Sequence, residues 1–480
     1  MENKQEFNRS LSLLDGALLV IGSMIGSGIF IVSADIARNV GSAGWLIVVW
    51  LISGFITLSA ALSYGELSGM FPKAGGQYVY LRESFGKLYG FLYGWAFFAV
   101  IQTGTIAAVA VAFGKFTGYL VPSLGEENIL VGPMQLGFIE NFKITAAQLT
   151  GIGTVILLTA INAMGVKSGK WIMFFFTFAK IAAMAGLIIF GIMMMTDSSV
   201  WAGNWDGGWM AKKITATTDV ITHQSLDGMT LVIAISVAMV GALFSSDAWN
   251  NVTFIAGEIK KPERNIGLSL FIGTFVVTLL YVSMNLMYLN VLSISEIANA
   301  PADRVALAAA LKVFGSAGTI VIALLVMVST FGCNNGLILS GARVYYTMAN
   351  DGLFLPAAGR LNSKQVPARA LWAQCIWACL LCLSGQYGNL LDFIIFTVLL
   401  FYILTIAGIF KLRKTMPDAP RPYKAFGYPI IPLLYILMAS FICVVLLLYK
   451  QEYTWPGLII VLIGIPVFYW LNKRGTAANE

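Results

Sequence analysis

Seven residues in the first long apolar segment could hold a small polar solute: Gly22, Ser23, Met24, Ile25, Gly26, Ser27 and Gly28. Glycine inside a helix costs about 1 kcal/mol relative to alanine and frees the backbone to leave the helical region. In lipid, unwound backbone survives only where it faces protein or a water-filled cavity. A break at mid-membrane depth exposes two kinds of dipole. The N–H groups of Gly26, Ser27 and Gly28 would start a second half-helix and suit a carboxylate. The carbonyls from Ser23 through Met24 to Ile25 would end the first half and suit an ammonium. Gly22 and Gly26 also spell GxxxG, so close helix packing stands beside the binding reading.

A second interruption, residues 242–248, falls in the sixth apolar segment and brings Phe244, Ser245 and Asp247 to mid-span. The carbonyls near Phe244 and Ser245 repeat the cation-binding half of the kit. An anion site beside a cation site is the electrostatic image of an α-amino acid zwitterion. Asp247 either binds a cationic group or a proton, or caps the new helix end by accepting backbone N–H bonds. Phe244 is a lid over the substrate or a core aromatic. Asn250 and Asn334 hydrogen-bond substrate or neighbouring helices.

Lys180 lies at the middle of an otherwise apolar run, residues 171–195. A lysine at the bilayer centre costs about 2.5–3.5 kcal/mol on insertion scales, so such residues turn to the bundle interior. It is a tether to the carbonyls of the unwound first helix, a fixed charge in place of a coupling ion, or a proton carrier. Glu66, near the end of the second segment, pairs structurally with a cation such as Lys73. The single histidine, His223, is a solvated loop residue. Cys333, Cys375, Cys379, Cys382 and Cys443 all fall inside apolar segments and read as small packing residues. No metal site and no cofactor is expected.

These residues must be positioned by helices. The chain is 58% hydrophobic and 11% charged, where soluble proteins carry about 25% charge. About 20 apolar residues span a bilayer as a helix, and the runs lack the alternation of barrel strands. The expectation is an all-α polytopic membrane protein with twelve transmembrane helices, near 13–40, 44–70, 86–120, 145–164, 170–195, 229–257, 265–292, 316–348, 369–386, 389–412, 429–449 and 455–472. The polar leader, residues 1–10, does not resemble a cleaved signal peptide. With twelve spans both termini share a side. Loops on that side hold 21 of the 30 lysines and arginines against 8 on the other, which places both termini in the cytoplasm. The net charge of +7 then follows from topology and calls for no nucleic-acid partner.

The two interruptions lie five segments apart. That spacing predicts a five-plus-five inverted repeat, residues 13–195 and 229–412, each half opening with a broken helix, with 429–472 outside it. Residues 302–314 read as a short helix across the outer face. The loops at 121–145 and 196–228 read as surface structure.

Several stretches together resemble one family. They are GSMIGSGIF (22–30), YGELSGMFPKAGGQYVY (64–80), FTFAK ending at Lys180, FSSDAWNNVTFIAGE (244–258) continuing as KKPERN, and STFGCNNG leading to ARVYYTMANDG (329–352). In this order and spacing they resemble the amino acid–polyamine–organocation transporters, specifically the L-type amino acid transporter branch and its bacterial relatives. The resemblance implies the five-plus-five fold with two additional helices. It implies substrate carboxylate at Gly26, Ser27 and Gly28, and amine at backbone around Met24, Ile25, Phe244 and Ser245. It also implies Phe244 as outer gate, Asn250 lining the site, and Lys180 in the place of a coupling ion. The chain departs from the L-type pattern at Ser246–Asp247–Ala248, where those relatives carry a small aromatic–glycine run. It also lacks an outer-loop cysteine before the fourth helix, so no disulfide-linked heavy chain is expected.

The function expected is secondary active transport of amino acids, neutral L-amino acids first, by exchange or proton coupling. A cationic amino acid or polyamine carrier is the alternative that Asp247 suggests. The chain shows no HExxH and no GxSxG, so an enzyme is not expected. The expected location is the plasma membrane, the inner membrane in a bacterium.

Overall fold

The computed structural model describes residues 9–136, 139–165, 169–194, 198–216, 221–364, 366–384 and 387–477. Eleven described helices are long and apolar enough to cross a membrane, and a shorter apolar helix, Ala368–Leu383, completes twelve. The chain is an all-α polytopic membrane protein with two small hairpins.

Each span begins or ends where local chemistry stops a helix. Ser12 caps Leu13–Met24 in a reciprocal capping box with Asp15, satisfying otherwise orphaned N–H groups. The first span then breaks at residues 25–27 and resumes as Gly28–Ile31 and Ser33–Val40, ending at Gly41 in the left-handed region (φ 49°). The second span is Ala43–Met70. The third, Lys87–Leu120, contains a π-helical turn at Phe97–Ile101. The fourth and fifth are Ala146–Ala163 and Gly169–Met194. The sixth runs Gly228–Ser245, breaks, and resumes as Asn251–Phe254. The seventh is Pro262–Val291, with proline at its first turn where no N–H is needed.

Residues Val305–Asn350 form one helix by hydrogen bonding, but Gly315 (φ 69°) bends it. The part before Gly315 is the expected short outer helix, and the part after it is the eighth span. The ninth to twelfth spans are Ala368–Ser384, Tyr387–Thr415, Ile430–Tyr449 and Gln451–Ala477.

Packing repeats when span numbers are shifted by five. The first packs on the seventh as the sixth packs on the second. The third packs on the fourth as the eighth packs on the ninth. The first packs on the fifth as the sixth packs on the tenth. The eleventh and twelfth lie against the tenth, with the eleventh also on the second and the twelfth on the third.

The loops expected as surface structure each hold an antiparallel hairpin: β1 (Ile129–Leu136) with β2 (Ile139–Thr145), and β3 (Lys212–Ala216) with β4 (Ile221–Ser225). His223 is exposed on β4. The second loop also caps a corner of the bundle. The Ser42 hydroxyl donates to the Gly208 carbonyl, and Asn204 donates to the Leu289 and Leu292 carbonyls at 2.7 and 2.9 Å.

Both faces of the bundle are bridged. On the face carrying the N-terminus, the Leu11 N–H donates to the Glu258 carbonyl at 3.0 Å and the Leu11 carbonyl accepts from the Lys260 N–H at 2.8 Å, and Arg343 donates to the Glu258 carboxylate at 2.8 Å. Asp351 accepts from Tyr78 at 2.9 Å and pairs with Arg82. On the opposite face, Arg38 at the end of the first span donates to Asp303 at 2.7 Å and to the Ala298 carbonyl at 2.8 Å.

Glu66 does not pair with Lys73. Its buried carboxylate accepts from Arg413 at 2.6 and 3.0 Å and from the Ala425 N–H at 2.7 Å, with Arg421 at 3.3 Å. The tenth span and its following loop therefore supply the cations. Lys73, three residues beyond the helix end at Met70, sits on the turn instead.

Candidate functional site

The two helix breaks meet. A Cβ on Gly28 would collide with the Ser245 hydroxyl, and one on Gly26 would sit 3.3 Å from the Cys333 sulfur. The glycines therefore serve close backbone approach as well as unwinding. Every residue from Gly22 to Gly28 is buried, as are Phe244, Ser245 and Asn250.

The carbonyls at the end of the first half-helix are met by donors from three other spans. Lys180 donates to the Gly22 and Ile25 carbonyls, both at 2.8 Å. Ser329 lies 3.3 and 3.1 Å from the Ile25 and Gly26 carbonyls, and the Cys333 thiol lies 3.2 Å from that of Ser23. The Tyr281 hydroxyl lies 3.0 Å from the Met24 carbonyl and 2.9 Å from the Ser245 carbonyl, so one side chain joins both breaks. The Ile25 carbonyl thus accepts from two donors, Lys180 and Ser329, which engages both of its lone pairs. The Gly26 N–H turns back on the Met24 carbonyl at 2.9 Å.

Lys180 makes the contacts expected of a tether, and a fixed charge in the place of a coupling ion would make the same ones. Charge-assisted hydrogen bonds of this kind contribute about 1.5–3 kcal/mol each, which offsets the insertion cost of a lysine. The sequence singled out neither Tyr281 nor Ser329, and Cys333 reads there as a packing residue only. Each is a polar group on an apolar helix, which is a usable signal, but nothing in the sequence says which backbone it reaches.

The second break holds Asp247 between two water-sized cavities of about 20 Å³ each; a water needs about 10–15 Å³. Its carboxylate accepts from the Tyr402 hydroxyl at 2.6 Å and from the Ala248 N–H, and the described residues offer it no lysine or arginine. Ala248 sits at φ 62°, a left-handed conformation that costs a non-glycine residue about 1–2 kcal/mol. The packing around the second break sustains this strained turn, which presents Asp247.

One cavity is lined by Gln77, Gln102, Thr105, Asp247, Asn250 and Tyr402, among others, and by the π-helical turn of the third span through Phe97 and Ile101. Asn250 donates to Gln77 at 3.2 Å, and Gln77 donates to Thr405 at 3.0 Å. The structure thus brings Asp247 and Asn250 to one cavity and Gly28 against Ser245. Asn334, on the eighth span, is buried and has no hydrogen-bond partner among the described residues for either amide atom.

A family model described as amino acid permease matches residues 11–468, nearly the whole chain. The chain is 28% identical over 470 residues to the serine/threonine exchanger SteT of Bacillus subtilis (strain 168), covering 97% of each. It is 27% identical over 467 residues to the b(0,+)-type amino acid transporter 1 of Mus musculus, covering 96% of this chain and 88% of the relative. It is 29% identical over 470 residues to the large neutral amino acids transporter small subunit 2 of Homo sapiens, covering 97% of this chain and 81% of the relative. The chain belongs to the amino acid permease family. It is a membrane transporter of amino acids and not an enzyme.

Proposed function

We propose that this permease carries a neutral L-amino acid by alternating access, with the substrate held between the two helix breaks. The observation that carries the reading is the meeting of the breaks at Gly28 and Ser245, joined by Tyr281. In this closed form the first-break carbonyls already accept protein donors. The substrate ammonium displaces some of these donors from the first-break carbonyls and is held as well by the carbonyls at Phe244 and Ser245. Its carboxylate goes to the Gly26, Ser27 and Gly28 backbone. Phe244, buried beside Ser245 at the second break, is the gate, and Lys180 occupies the place of a coupling ion.

The packing that repeats on a shift of five supports two five-helix halves, 13–195 and 229–412. An odd shift also inverts the second half in the membrane. The lysine and arginine distribution supports cytoplasmic termini in a plasma membrane.

Protein in liposomes should take up a labelled neutral amino acid, and Ser27→Trp should abolish uptake while leaving the protein monodisperse. Undiminished uptake by the variant would place the substrate elsewhere. Stimulation by internal amino acid marks exchange, and stimulation by an acid-outside gradient marks symport.

A second reading rests on Asp247, a buried carboxylate facing water-sized space with no described cation beside it. It fits a cationic amino acid or polyamine whose charged end reaches this cavity. Asp247→Asn should lower competition by arginine or lysine more than competition by neutral amino acids. Equal loss of both would leave the acid as a helix cap.

A further inference from the structure

The eighth span wraps the first break. Ser329 and Cys333 reach its carbonyls, and Asn335, on another face, accepts from Asn162 of the fourth span at 2.8 Å. Asn334 belongs to neither contact. It is 1% exposed, and both its carboxamide nitrogen and its oxygen are buried without a partner among the described residues. Leu337, one turn further on the same helical face, lines the polar cavity, and its carbonyl accepts from Gln102 of the third span at 2.5 Å. Gly341, a further turn along that face, abuts Gln102 as well.

Asn334 therefore stands on the helical face turned to the third span, next in sequence to Cys333, which reaches the first break, and one turn before Leu337, which lines the cavity. A buried amide with neither end satisfied is costly in a low-dielectric interior. A polar group retained at such cost points to a partner that arrives from outside.

We propose that Asn334 reads the substrate's side chain and selects one that carries a hydroxyl or an amide. This rests on the transport reading above and adds a class of side chain to it. The amide can donate and accept together, so it matches a group that does both. The backbone ends of the breaks take the α-amino and α-carboxylate groups, which every amino acid shares, so discrimination falls to what touches the side chain. A site built around a hydrogen bond rejects an analogue that lacks the matching group far more strongly than an apolar pocket rejects an extra methyl.

Threonine and valine are nearly isosteric and differ by a hydroxyl for a methyl. Their competition against uptake of a labelled amino acid in liposomes isolates this term. Wild-type protein should favour threonine by about tenfold or more in half-inhibitory concentration. Asn334→Leu should bring the ratio to about threefold or less, and Asn334→Gln should keep part of it. Should Asn334→Leu not fold, Asn334→Ala is measured in the same way. A wild-type ratio near one overturns the proposal. So does an unchanged ratio in a folded variant, as expected if the amide only holds water or touches the shared α-carboxylate. Absence of uptake of any amino acid by wild-type protein would instead refute the transport reading itself.

Discussion

Two buried charges in this protein are treated differently. Lys180 gives its ammonium to two backbone carbonyls of the first break. Lys180→Ala should therefore reduce uptake more than it reduces the yield of folded protein. An equal drop in both would make the lysine a folding element only. Glu66 is buried against Arg413, and Arg421 is near. Removing one partner of a buried pair costs about 3–5 kcal/mol, because the other charge is left stranded. Glu66→Ala should lower the unfolding temperature in detergent sharply, and Lys73→Ala should leave it nearly unchanged. The residue types at the breaks were legible in the sequence, because glycine, serine and aspartate are conspicuous in apolar runs. The partners were not. Glu66 and Arg413 are 347 positions apart, and only the packed bundle brings them together.

At the scale of elements, the two broken helices form one unit. Gly28 touches Ser245, and Tyr281 spans the Met24 and Ser245 carbonyls. Gly28→Ala should impair uptake because the added methyl meets the Ser245 hydroxyl, and Ser245→Gly in the same chain should restore part of it. Failure of the second change to help would mean that backbone freedom at Gly28, not the contact, is what matters. Tyr281→Phe removes the bridge with little change in volume and should alter turnover more than expression. Both breaks and the twelve spans were readable from glycine placement and apolar length. The hairpins at 129–145 and 212–225 were expected only as surface structure, because register and turn type are set by pairing that composition does not reveal.

For the whole molecule, orientation is the testable property. Ser123 and Ser363 are exposed on opposite faces, and among the five cysteines only Cys379 is partly exposed. A membrane-impermeant maleimide applied to intact cells should label Ser123→Cys and spare Ser363→Cys. The reverse pattern would turn the protein over and remove the basis for reading its charge distribution. The seam between Gly28 and Ser245 sets the terms for affinity as well. If the solute binds between the breaks as proposed, a form in which the two backbones touch excludes it, and the measured dissociation constant is the intrinsic one divided by the fraction of molecules in which the seam has parted. A substitution that widens the seam would then tighten apparent binding without adding a single contact to the solute.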